Sequence, residues 1–136
     1  MRQQSKVQVR VKNSVLGGPQ PLICLPLVGA TKAVLQREAE ELVALQPDLL
    51  EWRVDAYEQV ENVRESLLVL KELRATIGEI PLIFTCRIDL EGGFKKIVQQ
   101  KRLELFTAVI ESGMVDIVDI ELCSGQEFIE AVQERA

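Results

Sequence analysis

Short apolar runs alternate with longer amphipathic stretches along this chain, and that alternation narrows its possible folds more than any other feature. The runs fall at 22–27, 49–54, 81–86 and 115–122. Between them, apolar residues recur at helical spacing: Leu35, Ala39, Leu42 and Val43; then Val63, Leu67, Leu70, Leu73 and Ile77; then Leu103, Phe106, Val109 and Ile110. A last helix over about 125–134 carries Phe128, Ile129 and Val132 on one face. Thr31 stands where a cap would begin the first helix and Pro47 where it must have ended. Asn62 and Glu65 have capping-box spacing, and Gly78 and Gly113 sit where helices close on a left-handed residue. The order is strand, helix, four times over. Near-continuous apolar strands separated by helices imply a parallel sheet with helical crossovers.

Ahead of the first unit, residues 7–11 read Val-Gln-Val-Arg-Val, and Val15 and Leu16 follow Asn13, which predicts a small β-hairpin. The division expected is therefore 1–21, hairpin and linker, and 22–136, four βα units. Four units fit either an open four-stranded sheet or half of an eight-stranded barrel, and a full barrel takes roughly 250 residues against the 136 present. Charged residues stand within or just past three of the strands: Glu51 and Arg53, Arg87, Asp119 and Glu121. In a barrel, that end of the strands is where chemistry is assembled.

Composition removes several function classes. The chain has no histidine, which excludes imidazole bases, histidine metal ligands and histidine pH switches. Its charge of −5 is spread without a basic block, so nucleic acid is not an expected partner. No run approaches the roughly 20 apolar residues of a membrane span. Cys24, Cys86 and Cys123 form no CxxC pair and read as reduced, small, buried residues. With no secretory pattern at the N-terminus, the expected compartment is the cytoplasm.

The strand-end charges admit two kinds of reading. Glu51, Arg53 and Asp55 alternate onto one strand face, with Trp52 and Val54 on the other under the helices. Glu51 and Arg53 form either a structural ion pair or a polar substrate site in which Arg53 is a forked donor to oxygen atoms. Arg87 ends the third strand, and Glu91 precedes Gly92 and Gly93, whose freedom lets the next loop fold over the strand ends. Asp119 and Glu121 share a face. They either raise each other's proton affinity or pair with Arg53 or Arg87 across the sheet. Lys95 and Lys96, just past the glycines, read as solvated.

Taken in order, Glu51-Trp52-Arg53-Val54-Asp55, Phe84-Thr85-Cys86-Arg87, Glu91-Gly92-Gly93, the segment 111–116 and Asp119-Ile120-Glu121-Leu122 form a recognisable set. The set resembles the N-terminal half of type I 3-dehydroquinate dehydratase, a lyase of the shikimate pathway, with Ile23-Cys24-Leu25-Pro26-Leu27 as its first barrel strand. The resemblance implies a partial (β/α)8 barrel of about four units. It implies an enzyme that dehydrates 3-dehydroquinate to 3-dehydroshikimate through a lysine Schiff base, with a histidine moving protons and no metal or organic cofactor. By the same resemblance, Glu51, Arg53 and Arg87 match residues that hold the substrate's hydroxyl and carboxylate groups. Glu91 matches the glutamate that positions the histidine, and Asp119 and Glu121 match acidic residues near it.

The family's histidine lies on the fifth strand and its lysine on the sixth, both beyond Ala136. Lys6, Lys12, Lys32, Lys71, Lys95, Lys96 and Lys101 all fall outside the matched strands, and Phe94 stands where a polar residue is expected after the glycines. The expectation is a chain that holds part of a substrate site and is inactive alone; the alternative is a non-catalytic module binding small carboxylates or a partner. Half a barrel would leave two edge strands unpaired, so a second copy or a complementary half is the expected partner.

Overall fold

The computed structural model describes residues 3–136. A hairpin comes first: β1 (Val9–Val11) pairs antiparallel with β2 (Ser14–Leu16), matching Val9 with Leu16 and Val11 with Ser14. Four βα units follow. They are β3 (Cys24–Leu27) with α1 (Lys32–Ala44), β4 (Leu49–Arg53) with α2 (Val63–Ile77), β5 (Leu82–Thr85) with α3 (Gln99–Ser112), and β6 (Ile117–Asp119) with α4 (Gln126–Gln133). The helix starts obey the sequence signals. Thr31 Oγ1 accepts from the Val34 N–H at 3.3 Å, and Asn62 Oδ1 accepts from the Glu65 N–H at 3.2 Å. Among the described residues no helix is long and apolar enough to cross a membrane.

The larger sheet is parallel throughout, in the order β3-β4-β5-β6. Strand order equals chain order, so no crossover reverses direction. A doubly wound open sheet needs such a reversal to place helices on both faces, whereas one-way right-handed crossovers put every helix on the same side. Of the two architectures the sequence allowed, this is the barrel-type one.

Beneath the helices lies one core in which Leu27, Leu50, Trp52, Leu82 and Phe84 from the sheet meet Leu35, Leu70, Leu73, Leu105 and Phe106. Tyr57, Trp52, Phe84, Phe106 and Phe128 run through it as a chain of tilted and edge-on aromatic contacts, with ring centroids 5.4 to 6.4 Å apart. On the face without helices the register lines up Pro26, Glu51, Ile83 and Ile117 in one row and Arg53, Thr85 and Asp119 in the next. Such rows are the layers that fill a barrel interior.

The N-terminal ends of the strands are locked by Asp116. One of its oxygens accepts from Arg74 Nη2 at 2.7 Å and from the Leu82 N–H at 2.9 Å; the other lies 3.3 Å from Lys12 Nζ on the hairpin.

Three expectations are corrected. The run 115–122 makes a strand only over Ile117–Asp119, because β6 has a neighbour on one side alone and turns away after it. The buried face of α3 is Arg102, Leu105, Phe106 and Val109, while Leu103 and Ile110 lie at its margin. Only Cys86 is a buried thiol, pushed up to about 12 by its burial. Cys24 is exposed because it opens β3, a strand with a neighbour on one side alone, and Cys123 because it lies in the turn after β6.

Candidate functional site

The charged side chains collect at the C-terminal ends of β4, β5 and β6. Glu51 does not pair with Arg53 as one reading allowed. Its Oε1 accepts from Thr85 Oγ1 at 2.8 Å, diagonally across the strand pair, where Glu51 stands opposite Ile83 and Thr85 opposite Arg53. Arg53 turns instead to Asp55. Strand alternation breaks at a single 3-10 turn, Val54–Ala56, which carries the Asp55 carboxylate inward and buries it completely. Arg53 Nε and Nη2 donate to its two oxygens at 3.0 and 2.9 Å. The guanidinium fork is therefore already occupied, which corrects the expectation that Arg53 is a forked donor to a ligand.

Arg87 lies two residues past β5. Its Nη2 donates to Asp119 Oδ2 at 2.6 Å and its Nη1 to Glu121 Oε1 at 3.2 Å. Glu121, buried, also accepts from the Ile88 N–H at 3.0 Å and, on its other oxygen, from Arg102 Nη2 at 2.6 Å and Ser124 Oγ at 3.3 Å. A chain of alternating charge results: Arg102, Glu121, Arg87, Asp119. Burial by itself would push the Glu121 carboxyl up, but backbone N–H donors and the two arginines prevail and hold it below the usual range. Of the two readings of the acidic pair, pairing with Arg87 is the one realised.

This has a consequence for stability in acid. Asp116 is likewise held low: burial opposes, and the Leu82 N–H, Arg74 and Lys12 outweigh it. A carboxylate whose folded value is depressed adds stability that is complete above its unfolded value, roughly 4, and is lost as pH falls through the folded one. The urea midpoint is expected to be flat from pH 7 to 5 and to fall clearly by pH 3. A midpoint unchanged at pH 3 would mean that neither carboxylate is stabilised as described.

The glycine loop, 88–97, covers this end. Gly92 is left-handed at φ 89°, and a β-carbon on Gly93 would lie 2.3 Å from the Arg87 carbonyl oxygen, so the loop's approach to β5 admits no side chain there. Glu91 is exposed, and its Oε1 accepts from Cys123 Sγ at 2.9 Å, a contact that pushes the thiol up. Lys96 is exposed as expected. Lys95 is not: its Nζ donates to the Tyr57 carbonyl at 2.8 Å and ties the loop to the turn after β4. The chain here doubles back on itself, which brings an acceptor within reach.

Sequence reasoning assigns no role to two residues of this network. Alternation puts Asp55 on the face of Glu51 and Arg53, but the residue leaves the strand, and only the 3-10 turn reveals how many donors it gathers. Arg102 was legible in principle, because it shares the 102, 105, 106, 109 stripe with three apolar residues, and a lone arginine on such a stripe signals a buried ion pair. Among the described residues no group of three or more histidine, cysteine, aspartate or glutamate side chains is arranged to hold a metal ion.

Residues 23–136 match the family model described as Type I 3-dehydroquinase. The chain is 43% identical over 127 residues to a 3-dehydroquinate dehydratase of Clostridioides difficile, covering 93% of this chain and 50% of that protein. It is 40% identical over 131 residues to a 3-dehydroquinate dehydratase of Bacillus licheniformis, covering 96% and 52%. The crystal structure of the type I 3-dehydroquinate dehydratase from Clostridium difficile with covalently modified comenic acid superposes with a TM-score of 0.93 at 42% identity, covering 96% of this chain and 52% of that one. The 3-dehydroquinate dehydratase of Geobacillus kaustophilus gives 0.90 at 36%, with the same coverage. The chain spans about half the length of the relatives it matches.

Proposed function

Because the chain belongs to the type I 3-dehydroquinase family, we propose that it carries the first half of a (β/α)8 substrate site for the dehydration of 3-dehydroquinate to 3-dehydroshikimate through a Schiff base. The observation that carries this reading is the gathering of Glu51, Arg53, Arg87 and Asp119 at the strand ends, on the sheet face that no helix covers. In this reading Glu51, Arg53 and Arg87 bind the substrate's hydroxyl and carboxylate groups. Glu91, exposed on the loop, would position a histidine, with Asp119 and Glu121 beside it. No cofactor takes part.

The 136 residues include no histidine, so on their own they bind without turnover. Residues 1–21 then act as hairpin and linker and 22–136 as the half-barrel. Strands β3 and β6 each have one neighbour, and a second copy or a complementary set of βα units would pair their free edges. A cytoplasmic setting suits free thiols. The second reading, a module that binds small carboxylates without chemistry, is favoured by the same lack of histidine.

Calorimetric titration of the chain with 3-dehydroquinate tests the proposal. Arg87→Ala removes a charged donor and is expected to weaken binding by about 10- to 100-fold. Binding indifferent to this substitution would assign Arg87 to structure alone.

A further inference from the structure

Arg53 is enclosed on three sides. Asp55 takes Nε and Nη2 at 3.0 and 2.9 Å, the Gly92 carbonyl lies 3.4 Å from Nη2, and the Phe94 ring covers the guanidinium with its centroid 5.3 Å away. Among the described residues, only the Nη1 hydrogens of this guanidinium have no partner. Asp55 has no exposure to solvent and also accepts the N–H of Arg87 at 3.2 Å and the N–H of Phe94 at 3.0 Å. One carboxylate therefore binds three segments together: the end of β4, the exit of β5 and the glycine loop. A buried aspartate holding this many donors cannot release Arg53 to a ligand without leaving backbone N–H groups and its own charge unpaired.

We propose that Asp55 and Phe94 are positioning residues that hold Arg53 as a one-nitrogen donor and make Arg53 and the 88–97 loop move as one unit. A ligand then meets Nη1 alone, so Arg53 reads a hydroxyl or a single carboxylate oxygen. Two-point recognition of a carboxylate falls to Arg87: its Nη1 stays on buried Glu121, but its Nη2 partner Asp119 is more than a third exposed and can be displaced, which leaves Nη2 and Nε for a ligand. The inference rests on the function proposed above for its ligand, but the clamp itself is testable without one.

The experiment is hydrogen exchange by NMR on the 136-residue chain. Asp55→Asn keeps the shape but turns one acceptor into a donor. Exchange at the Phe94 and Arg87 amides and at Arg53 Nε–H is expected to rise together by about tenfold or more, while Trp52 and Phe84 amides in the sheet stay within about twofold. Phe94→Ala retains the amide at 94, so Arg53 Nε–H speeds up with little change at the backbone. Arg53→Lys removes both fork and ring contact and is expected to loosen the loop amides although Asp55 is intact. A uniform rise across sheet and loop would reduce Asp55 to a stabilising residue and overturn the proposal. So would loop protection unchanged by Arg53→Lys, and that variant with Phe94→Ala decides the matter if Asp55→Asn does not fold. Absence of 3-dehydroquinate binding with these exchange patterns intact would sink the functional reading and leave the clamp standing.

Discussion

Incubated with 3-dehydroquinate, the purified 136-residue chain is expected to form no conjugated product above the uncatalysed rate, followed by ultraviolet absorbance. Iminium chemistry at neutral pH needs an amine with depressed proton affinity, close to the ketone and shielded from water. None of the seven lysines meets that need. Lys12 lies against Asp116 at the opposite end of the strands, Lys32 pairs with Glu72, Lys101 pairs with Glu104, and Lys6, Lys71 and Lys96 are exposed. Lys95 lies within the glycine loop, and its Nζ is engaged by the Tyr57 carbonyl. A positioned proton shuttle alone contributes about 10²- to 10⁴-fold, and no imidazole is present to supply one. Without both groups the rate deficit is about 10⁶-fold, on the scale seen when interdependent catalytic groups are removed together. Turnover above background would mean that some other pair in this chain performs the chemistry, and Glu91 with Lys95 would be the first to substitute.

What the sequence revealed and what it withheld divide along a physical line. Elements whose signals are local were legible: Thr31 and Asn62 cap the helices they were expected to cap, and the parity of Glu51 against Trp52 sets the open face against the core. Parity also set Asp119 and Glu121 on one face, but left open whether they reach an arginine or raise each other's proton affinity; the structure has them on Arg87. Pairing partners were harder, because they depend on where one turn ends. The Val54–Ala56 turn moves Asp55 out of strand alternation and gives it Arg53, leaving Glu51 to Thr85, a residue 34 positions away. The strong apolar pair Leu103 and Ile110 pulls the expected face of α3 to one side and hides the arginine that stands one turn ahead of Leu105 and Phe106. Phe94 stood out as a departure from the expected polar residue, but only the fold of the loop shows that its ring rests on Arg53.

That hidden arginine supports the largest stability effect expected of a single substitution here. Arg102→Met should destabilise the chain by about 3–5 kcal/mol, the cost of removing one partner from a buried pair. The Arg102 side chain is 3% exposed and that of Glu121 not at all. The guanidinium donates to Glu121, to the Cys86 carbonyl at 3.1 Å and to Ser124 Oγ at 3.2 Å, and it lies over the Phe128 ring at 4.9 Å. Methionine fills much of the volume but supplies none of these donors, so Glu121 keeps its charge in a buried place with only Arg87, the Ser124 hydroxyl and two backbone N–H groups against it. Urea unfolding measures the loss. The double variant Arg102→Met, Glu121→Gln is expected to recover part of it, because an uncharged pair leaves no buried ion without a counter-charge; two single costs that simply add would mean that the residues do not interact. A loss below about 1 kcal/mol for Arg102→Met would place it among ordinary surface pairs. Since Glu121 uses its other oxygen on Arg87, loosening the carboxylate also loosens the arginine proposed for two-point recognition, and affinity for 3-dehydroquinate should fall even in the fraction of Arg102→Met that remains folded.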